Sequence, residues 1–237
     1  MIKKAASRIY LIFIFILLYA PIITLIVLSF NSSKSRAKWG GFTTKWYVSL
    51  FENRQIMQAL SNTLMIAFLS ALIATVIGTA ACIALNGMKR RWRTFWLGLA
   101  NIPMLNADIV TGISLMLLFI FAKVDRGYFT MVLAHITFDV PYVVLSVLPK
   151  FQQLDRAQCE AAMDLGCTPV RTFFKIEVPA VLPGILSGFI LGFTLSLDDF
   201  VISHFVSSPD FKTLPLYIYN QTVHDVKFSM YALCTLI

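Results

Sequence analysis

The chain has 237 residues, of which 58% are hydrophobic and only 14% are charged. Soluble domains are typically about 45–50% apolar and about 25% charged, so this composition argues against a water-soluble fold. The formal net charge of +8 does not indicate a nucleic-acid partner, because the lysines and arginines lie in short segments between long apolar runs. The four cysteines show no CxxC spacing, which predicts neither a disulfide framework nor a metal site.

Several apolar runs are each long enough to cross a bilayer, which takes about 20 residues. The first is too long for a signal-peptide core and lacks an Ala-x-Ala cleavage site, so it is predicted to remain as an anchor. A sixth helix from Ser229 to residue 237 would rise only about 13 Å, which is too short to cross a bilayer, so it is expected to be a truncated span. We predict an all-α, polytopic membrane protein with six transmembrane helices in a single domain, residues 1–237. The helices are placed near residues 9–30, 60–86, 95–122, 128–149 and 179–206, and from Ser229 onward.

The distribution of basic residues predicts the orientation in the membrane. Residues 89–93 (KRRWR) hold four cations in one short loop, and basic loops favour the cytoplasmic side. The N-terminus is therefore predicted to be cytoplasmic, and residues 31–59 extracytoplasmic. An amphipathic helix over residues 44–60 would place Trp46, Leu50 and Phe51 on one side as anchors at the membrane interface. The alternative for Trp46 is contact with a solute, because indole faces attract cations.

A polar loop, residues 150–178, separates the fourth and fifth predicted spans. A helix is predicted over residues 154–165, because small apolar residues recur there at helical spacing. Gly166 is expected to end this helix in a conformation with positive φ. Thr168 and Pro169 then supply an N-cap and a first helical position for a second short helix.

This loop carries a motif that resembles the "EAA" loop of ABC importer permeases, in which EAA is followed by three residues, Gly, nine residues, Ile, one residue and Leu-Pro. The resemblance implies a cytoplasmic coupling helix seated in a groove of an ATPase subunit. Independently of the resemblance, Arg156, Glu160 and Asp164 would offer polar contacts on adjoining turns of this helix. The chain has no GxxxxGK[ST] phosphate loop. We therefore expect a transport subunit that is not an enzyme and holds no cofactor, with ATP and Mg²⁺ bound by a partner ATPase. The motif residues are Glu160, Ala161, Ala162, Gly166, Ile176, Val178 (in place of leucine) and Pro179.

Four aspartates lie inside the predicted spans, and no lysine or arginine accompanies them there. Charged groups inside a membrane usually face a pathway or a partner, so this arrangement predicts a path that favours cations and excludes anions. Asp108, which follows Asn101, Pro103 and Asn106, is the strongest candidate for contacting the solute. The alternative is a hydrogen bond from Asp108 to a neighbouring helix.

The remaining acidic residues lie on the fourth and fifth predicted spans. Asp198 and Asp199 are expected near the outer mouth of the path, and adjacent helical residues point about 100° apart. One of the two is therefore predicted to face the pore, and Ser196 is a further pathway candidate. His135 and Asp139 are predicted to share an i,i+4 hydrogen bond, with a proton relay as the alternative.

Three stretches, residues 39–47, 196–203 and 213–219, look like the spermidine/putrescine importer permeases. The resemblance implies alternating-access import of polyamines across the bacterial inner membrane. The implied partners are a second homologous permease chain (PotB-like), two copies of an ABC ATPase (PotA-like), a periplasmic polyamine-binding protein (PotD-like) and membrane lipid. Two alternatives stay open, namely a permease of this class for another cationic or small solute, and a proton-coupled secondary carrier.

Overall fold

A computed structural model describes residues 2–33, 38–209, 211–224 and 228–236 of the chain. In these ranges the chain is helical, and its extended pairing is limited to one β-bridge between Asn31 and Phe42. The helices are α1 (Ile2–Ser29), α2 (Lys45–Glu52), α3 (Arg54–Gly87), α4 (Arg90–Ala100), α5 (Ile102–Leu105), α6 (Asp108–Phe121), α7 (Tyr128–Gln153), α8 (Arg156–Asp164), α9 (Pro169–Thr172), α10 (Val178–Asp198), α11 (Val201–Val206), α12 (Leu214–His224) and α13 (Phe228–Leu236), with a π-helical turn at Phe173–Glu177.

Four helical segments within the described ranges are long and apolar enough to cross a membrane. They are Tyr10–Ser29, Arg54–Gly87, Tyr128–Gln153 and Pro169–Asp198. They overlap the first, second, fourth and fifth spans predicted from the sequence. The all-α membrane fold is therefore confirmed.

The third predicted span, residues 95–122, is not one continuous helix. It is divided into α4, α5 and α6, because the chain leaves the helical conformation at Asn106 (φ −77°, ψ 150°) and Ala107. Pro103 in α5 contributes to the interruption, since proline has no N–H to donate. The expectation that Asp108 lies inside one continuous third span is corrected, because Asp108 is the first residue of α6.

The fifth predicted span, residues 179–206, also differs in its bounds. Pro179 does not start a helix, because α9, the π-helical turn and α10 follow one another without a gap. At the other end α10 stops at Asp198, and α11 begins after Asp199 and Phe200. This break places Asp198 at the end of α10 and Asp199 between the two helices.

The described chain separates into two compact units, residues 1–58 with 217–237 and residues 59–216. In the first unit α13 packs against α1 and α2. The hydroxyls of Ser29 and Tyr47 lie 2.8 Å apart and tie the end of α1 to α2. The organisation of residues 1–237 as one transmembrane domain stays a prediction.

The predicted amphipathic helix over residues 44–60 is divided between α2 and α3. Asn53 separates them, and its side-chain oxygen accepts a hydrogen bond from the N–H of Gln55 at 3.0 Å. Leu50 is buried, whereas the side chain of Phe51 is 61% exposed. The expectation that both face one side with Trp46 is therefore wrong.

In the second unit α7 packs along α10. Three glycines of α10, at positions 184, 188 and 192, lie on its buried side. A methyl group at Gly188 would stand 3.3 Å from the Cα of Val143 on α7. Small residues at such spacing let membrane helices approach closely. This helix pair carries the site described below.

Candidate functional site

A cavity of about 270 Å³ lies in the second unit, where α10 ends and α6 begins. Its size is just below the range of about 300–1,000 Å³ that small-molecule sites occupy. The cavity brings together three of the aspartates singled out from the sequence, and none of its lining residues in the described part of the chain is basic. The lining residues include Asp108, Asp198, Asp199, Thr194, Phe138 and Phe200.

Asp108 reaches the cavity because the preceding chain is interrupted. Ala107 has an extended conformation and precedes the first turn of α6. A carboxylate in a first helical turn interacts favourably with the helix dipole, by about 0.3–1 kcal/mol. Asp108 is exposed, and it makes no hydrogen bond or ion pair within the described part of the chain. Its carboxylate is therefore open to a solute.

Asp198 and Asp199 both line the cavity, but their carboxylates have different surroundings. Asp199 accepts hydrogen bonds from the backbone N–H groups of Ile202 (3.2 Å) and Ser203 (2.8 Å), so it caps α11. Its side chain is only 8% exposed. Asp198 is exposed and has no hydrogen bond or ion pair among the described residues. Asp198 thus presents the more accessible carboxylate of the pair.

A buried polar cluster lies beside Asp199. The imidazole of His135 has its Nδ1 3.0 Å from Ser196 Oγ and its Nε2 3.2 Å from Ser203 Oγ and 3.6 Å from Asp199 Oδ2. Ser196 donates a hydrogen bond to Asp139 Oδ2 at 2.7 Å. The predicted direct bond between His135 and Asp139 is therefore wrong, because the hydroxyl of Ser196 on α10 stands between them. Ser196 itself is buried and does not line the cavity.

Trp46 belongs to the first unit, where it has a structural partner at each end. Its indole N–H donates to the backbone oxygen of Asn31 at 2.7 Å. Its ring stacks on Phe228 with centroids 5.4 Å apart. Both proposed roles for Trp46, as interface anchor and as solute contact, stay predictions.

The predicted loop helices are present as the α8–α9 hairpin, residues 155–172. Asp155 caps α8 by accepting from the N–H of Ala157 at 3.0 Å. Gly166 has a φ of +87°, as expected from the sequence. The N–H groups of Gly166 and Cys167 donate to the oxygens of Met163 (2.9 Å) and Ala162 (3.0 Å), the two bonds of a Schellman motif.

The second helix of the hairpin also starts as the sequence indicates. Thr168 accepts from the N–H of Arg171 at 3.4 Å, and Pro169 is the first residue of α9. The motif residues Glu160, Ala161 and Gly166 are exposed, whereas Ala162 is buried inside the hairpin. The side chain of Arg156, expected to offer a polar contact, lies outside the described residues.

Cys159 and Glu177 meet where the hairpin joins the fifth span. The thiol of Cys159 donates to Glu177 Oε1 at a sulfur–oxygen distance of 3.7 Å. Burial, and next the negative charge of Glu177, raise the pKa of the Cys159 thiol. This thiol is therefore held in its protonated, unreactive form near neutral pH.

Residues 74–237 match the family model described as "Binding-protein-dependent transport system inner membrane component". The chain belongs to this family. It is therefore a permease component of an ABC transport system of the inner membrane, and the general identification made from the hairpin motif is confirmed.

Curated relatives of this permease cover nearly its whole length. The spermidine/putrescine transport system permease protein PotC of Escherichia coli K12 is 40% identical over 224 residues, which are 94% of this chain and 85% of that protein. The putrescine transport system permease protein PotI of the same strain is 40% identical over 230 residues, 94% and 82% of the two chains. A PotC homolog of Mycoplasma pneumoniae is 31% identical over 227 residues, 89% and 78% of the two chains.

Solved structures of ABC transporters share the fold of this permease. A chain of a bacterial transporter that imports the acidic polysaccharide alginate has a TM-score of 0.75 at 16% identity, covering 99% of this chain and 88% of the other. A chain of an amino acid transporter with histidines has a TM-score of 0.60 at 18% identity, covering 82% and 91%. At these identities the likeness concerns the fold alone.

Sequence reasoning singled out the aspartates but missed the hydroxyls around them. Ser203 and Ser70 join the buried cluster, Ser70 through a 3.1 Å contact with Ser196. Thr194 lines the cavity. Single serines and threonines are common in membrane helices, and the partners of these residues are distant in sequence. The substrate-pathway and ATPase-contact roles of the singled-out residues stay predictions.

Proposed function

We propose that this permease imports polyamines and that Asp108 and Asp198 contact the ammonium groups of the solute. The observation that carries the proposal is that two carboxylates without protein partners, within the described part of the chain, open into one cavity. A polyamine bears two or more separated ammonium groups, which spaced carboxylates bind by charge-assisted hydrogen bonds. The polyamine permeases that are 40% identical over 94% of the chain support the same solute class.

Aromatic groups in the cavity add to this preference. Phe138 and Phe200 lie among the lining residues, and aromatic faces attract cations by about 0.5–2 kcal/mol. The methylene segments between the ammonium groups of a polyamine also pack favourably on apolar rings. The charged groups among the described lining residues are all carboxylates, so the cavity disfavours phosphate, sulfate and acidic sugars.

The proposal includes a separate motor. ATP and Mg²⁺ would be bound by two copies of an ATPase, and the α8–α9 hairpin is the proposed contact. The hairpin exposes apolar side chains next to the motif, with Leu165 88% exposed and Val170 66% exposed. Such a surface is suited to a protein groove. This assignment requires the hairpin, and with it the N-terminus, to be cytoplasmic.

The further proposed partners are a second homologous permease chain and a periplasmic binding protein that delivers the polyamine. In the proposed cycle ATP binding closes the two ATPases, the hairpins of both permeases move with them, and the shared pathway opens outward. The cation then passes Asp198 and pauses at Asp108 before it leaves inward after hydrolysis.

The decisive experiment measures uptake of labelled spermidine and putrescine by the Asp108→Asn permease, reconstituted with its ATPase and binding protein. Loss of a hydrogen bond to a charged group is worth about 1.5–3 kcal/mol, so uptake is expected to fall about tenfold or more while the complex still assembles. Asp125→Asn is the matched control, because Asp125 is an exposed carboxylate in the α6–α7 loop. Normal uptake by the Asp108 variant would remove Asp108 from the path.

Two further measurements separate the alternatives. In a competition assay, iron, thiamine or sugar compounds and polyamines are each offered to the permease. If the other compounds compete for transport and polyamines do not, the permease carries another solute and the substrate assignment is overturned. Uptake that persists without ATP but collapses with the proton gradient would identify a secondary carrier. Uptake that needs ATP and survives loss of the gradient supports the ATP-driven permease.

A further inference from the structure

The buried cluster next to the cavity joins four helices. His135 and Asp139 lie on α7, Ser70 on α3, Ser196 on α10 and Ser203 on α11. All five side chains are buried. Hydrogen-bonded networks of buried polar groups hold helices in one arrangement. One buried oxygen of this cluster, Asp139 Oδ1, has no hydrogen-bond partner among the described residues. Among the described residues, the cluster meets the lining of the cavity at Asp199, which accepts a hydrogen bond from the N–H of Ser203.

The hydrogen bonds of this cluster define which imidazole nitrogen faces the cavity. The hydroxyl of Ser196 has one hydrogen, which it donates to Asp139. Its oxygen therefore accepts from Nδ1 of His135, so Nδ1 carries a hydrogen. In the neutral ring Nε2 is then an acceptor, and it receives the hydrogen of the Ser203 hydroxyl at 3.2 Å. The two ring nitrogens thus contact different helices: Nδ1 contacts Ser196 on α10, and Nε2 contacts Ser203 on α11.

Ser203 connects Nε2 to the position of α11, because its hydroxyl donates to Nε2. Both carboxylate oxygens of Asp199 accept N–H groups from the same first turn of α11, those of Ile202 and Ser203. That helix packs closely on α6, since a methyl group at Gly112 would stand 2.9 Å from the ring of Phe205. Gly112 lies one turn beyond Asp108, so a displacement of α11 would also move the start of α6.

We propose that His135 is a positioning residue for the solute cavity: through Nε2 it holds Ser203 in the first turn of α11, whose N–H groups hold Asp199, and thereby keeps Asp108 and Asp198 correctly spaced for a cation. This inference rests on the proposed function. Asp199 serves as a structural carboxylate in this arrangement, whereas Asp108 and Asp198 meet the solute. His135 acts through Ser203 and Asp199, and it does not itself line the cavity.

Two substitutions of His135 separate the tasks of its nitrogens. The amide of asparagine reaches the position of Nδ1 and can keep the bond to Ser196, whereas the longer glutamine places its amide near Nε2. Because the proposal assigns positioning to Nε2, His135→Asn is expected to lower polyamine uptake about tenfold, and His135→Gln is expected to retain most of it. If His135 only anchors α7 to α10 through Nδ1, the asparagine variant is expected to retain more polyamine uptake than the glutamine variant.

A thiol-labelling experiment measures the accessibility of the cavity in the absence of polyamine. Val201→Cys places a thiol at the first residue of α11, and Thr194→Cys places one on α10, both lining the cavity. The rate of alkylation by a small cationic thiol reagent is measured, and labelling of the chain without an introduced cysteine is subtracted. With His135→Asn the rate at position 201 is expected to change several-fold, with position 194 unchanged. With His135→Gln both rates stay near those of the His135 chain.

The proposal is overturned if the asparagine and glutamine variants change labelling at position 201 equally, or if positions 194 and 201 change together. Should the asparagine protein fail to fold, Ser203→Ala removes the hydroxyl at Nε2 but keeps the backbone cap to Asp199. Unchanged labelling at position 201 in that variant also overturns the proposal. Absence of polyamine uptake by the unaltered complex would refute the proposed function, while the labelling result would still decide the role of His135.

Discussion

Replacing Gly166 with alanine is expected to destabilise the α8–α9 hairpin without creating a clash. Gly166 has a φ of +87°, a conformation that costs an L-residue about 1–2 kcal/mol. No atom lies within 4 Å of the position that an added Cβ would take. The penalty is therefore conformational and not steric. It corresponds to an increase of about 5- to 30-fold in the equilibrium constant for local opening of the turn.

Hydrogen exchange measures this opening directly. The amide of Cys167 donates to the oxygen of Ala162 across the turn at 3.0 Å, so its protection factor is expected to fall by the same about 5- to 30-fold. Gly98→Ala is the matched control. Gly98 lies inside α4, and an added methyl group there would also have no atom within 4 Å, but alanine is favourable in a helix by about 0.5–1 kcal/mol.

The result that refutes this reasoning is an unchanged protection factor for Cys167 in the Gly166→Ala protein. Equal losses of protection in the Gly166 and Gly98 variants would also refute it, because the effect would then be unrelated to the left-handed turn. If the hairpin transmits ATPase motion, uptake by the Gly166 variant falls while the chain stays assembled. Normal uptake with an opened turn would separate the hairpin's stability from its proposed coupling role.

Two further predictions concern the thiol of the hairpin and the close helix pair. Burial, and next the charge of Glu177, raise the pKa of the Cys159 thiol, so its thiolate fraction at pH 8 is reduced. Glu177→Gln is therefore expected to shift the pH profile of Cys159 alkylation to lower pH. An unshifted profile would contradict the role of Glu177. Gly188→Val is expected to cost about 1–3 kcal/mol, since even a methyl group would stand 3.3 Å from the Cα of Val143. The temperature of aggregation in detergent measures this loss of stability, and an equal loss in the Gly98→Val protein would refute the prediction.

Local features of this permease were predictable from the sequence because their causes are local. Hydrophobic runs long enough for a bilayer indicated the spans, and each confirmed segment is one of these runs. Gly166, Thr168 and Pro169 indicated the hairpin, since caps and left-handed turns depend on residue types within a few positions. The family assignment followed from the same loop and is confirmed by the family match.

Helix breaks were predictable only in part. Pro103 and Asn106 suggested a loosened third span, and the structure divides it there. The break after Asp198 was not predicted, because its apolar surroundings continue to residue 206. It is stabilised by Asp199, whose carboxylate accepts two N–H groups of the next helix. In the sequence, an aspartate at this position is equally compatible with a residue of the solute pathway and with a residue that caps the next helix.

The sequence alone determined that acidic groups lie within an apolar membrane domain, and the high cost of a buried charge made them functional candidates. Only the tertiary structure decided their arrangement. It brings Asp108 and Asp198 into one cavity, and it places Ser196 between His135 and Asp139. These contacts join residues tens of positions apart, so they depend on how α7 packs against α10, which no local pattern specifies.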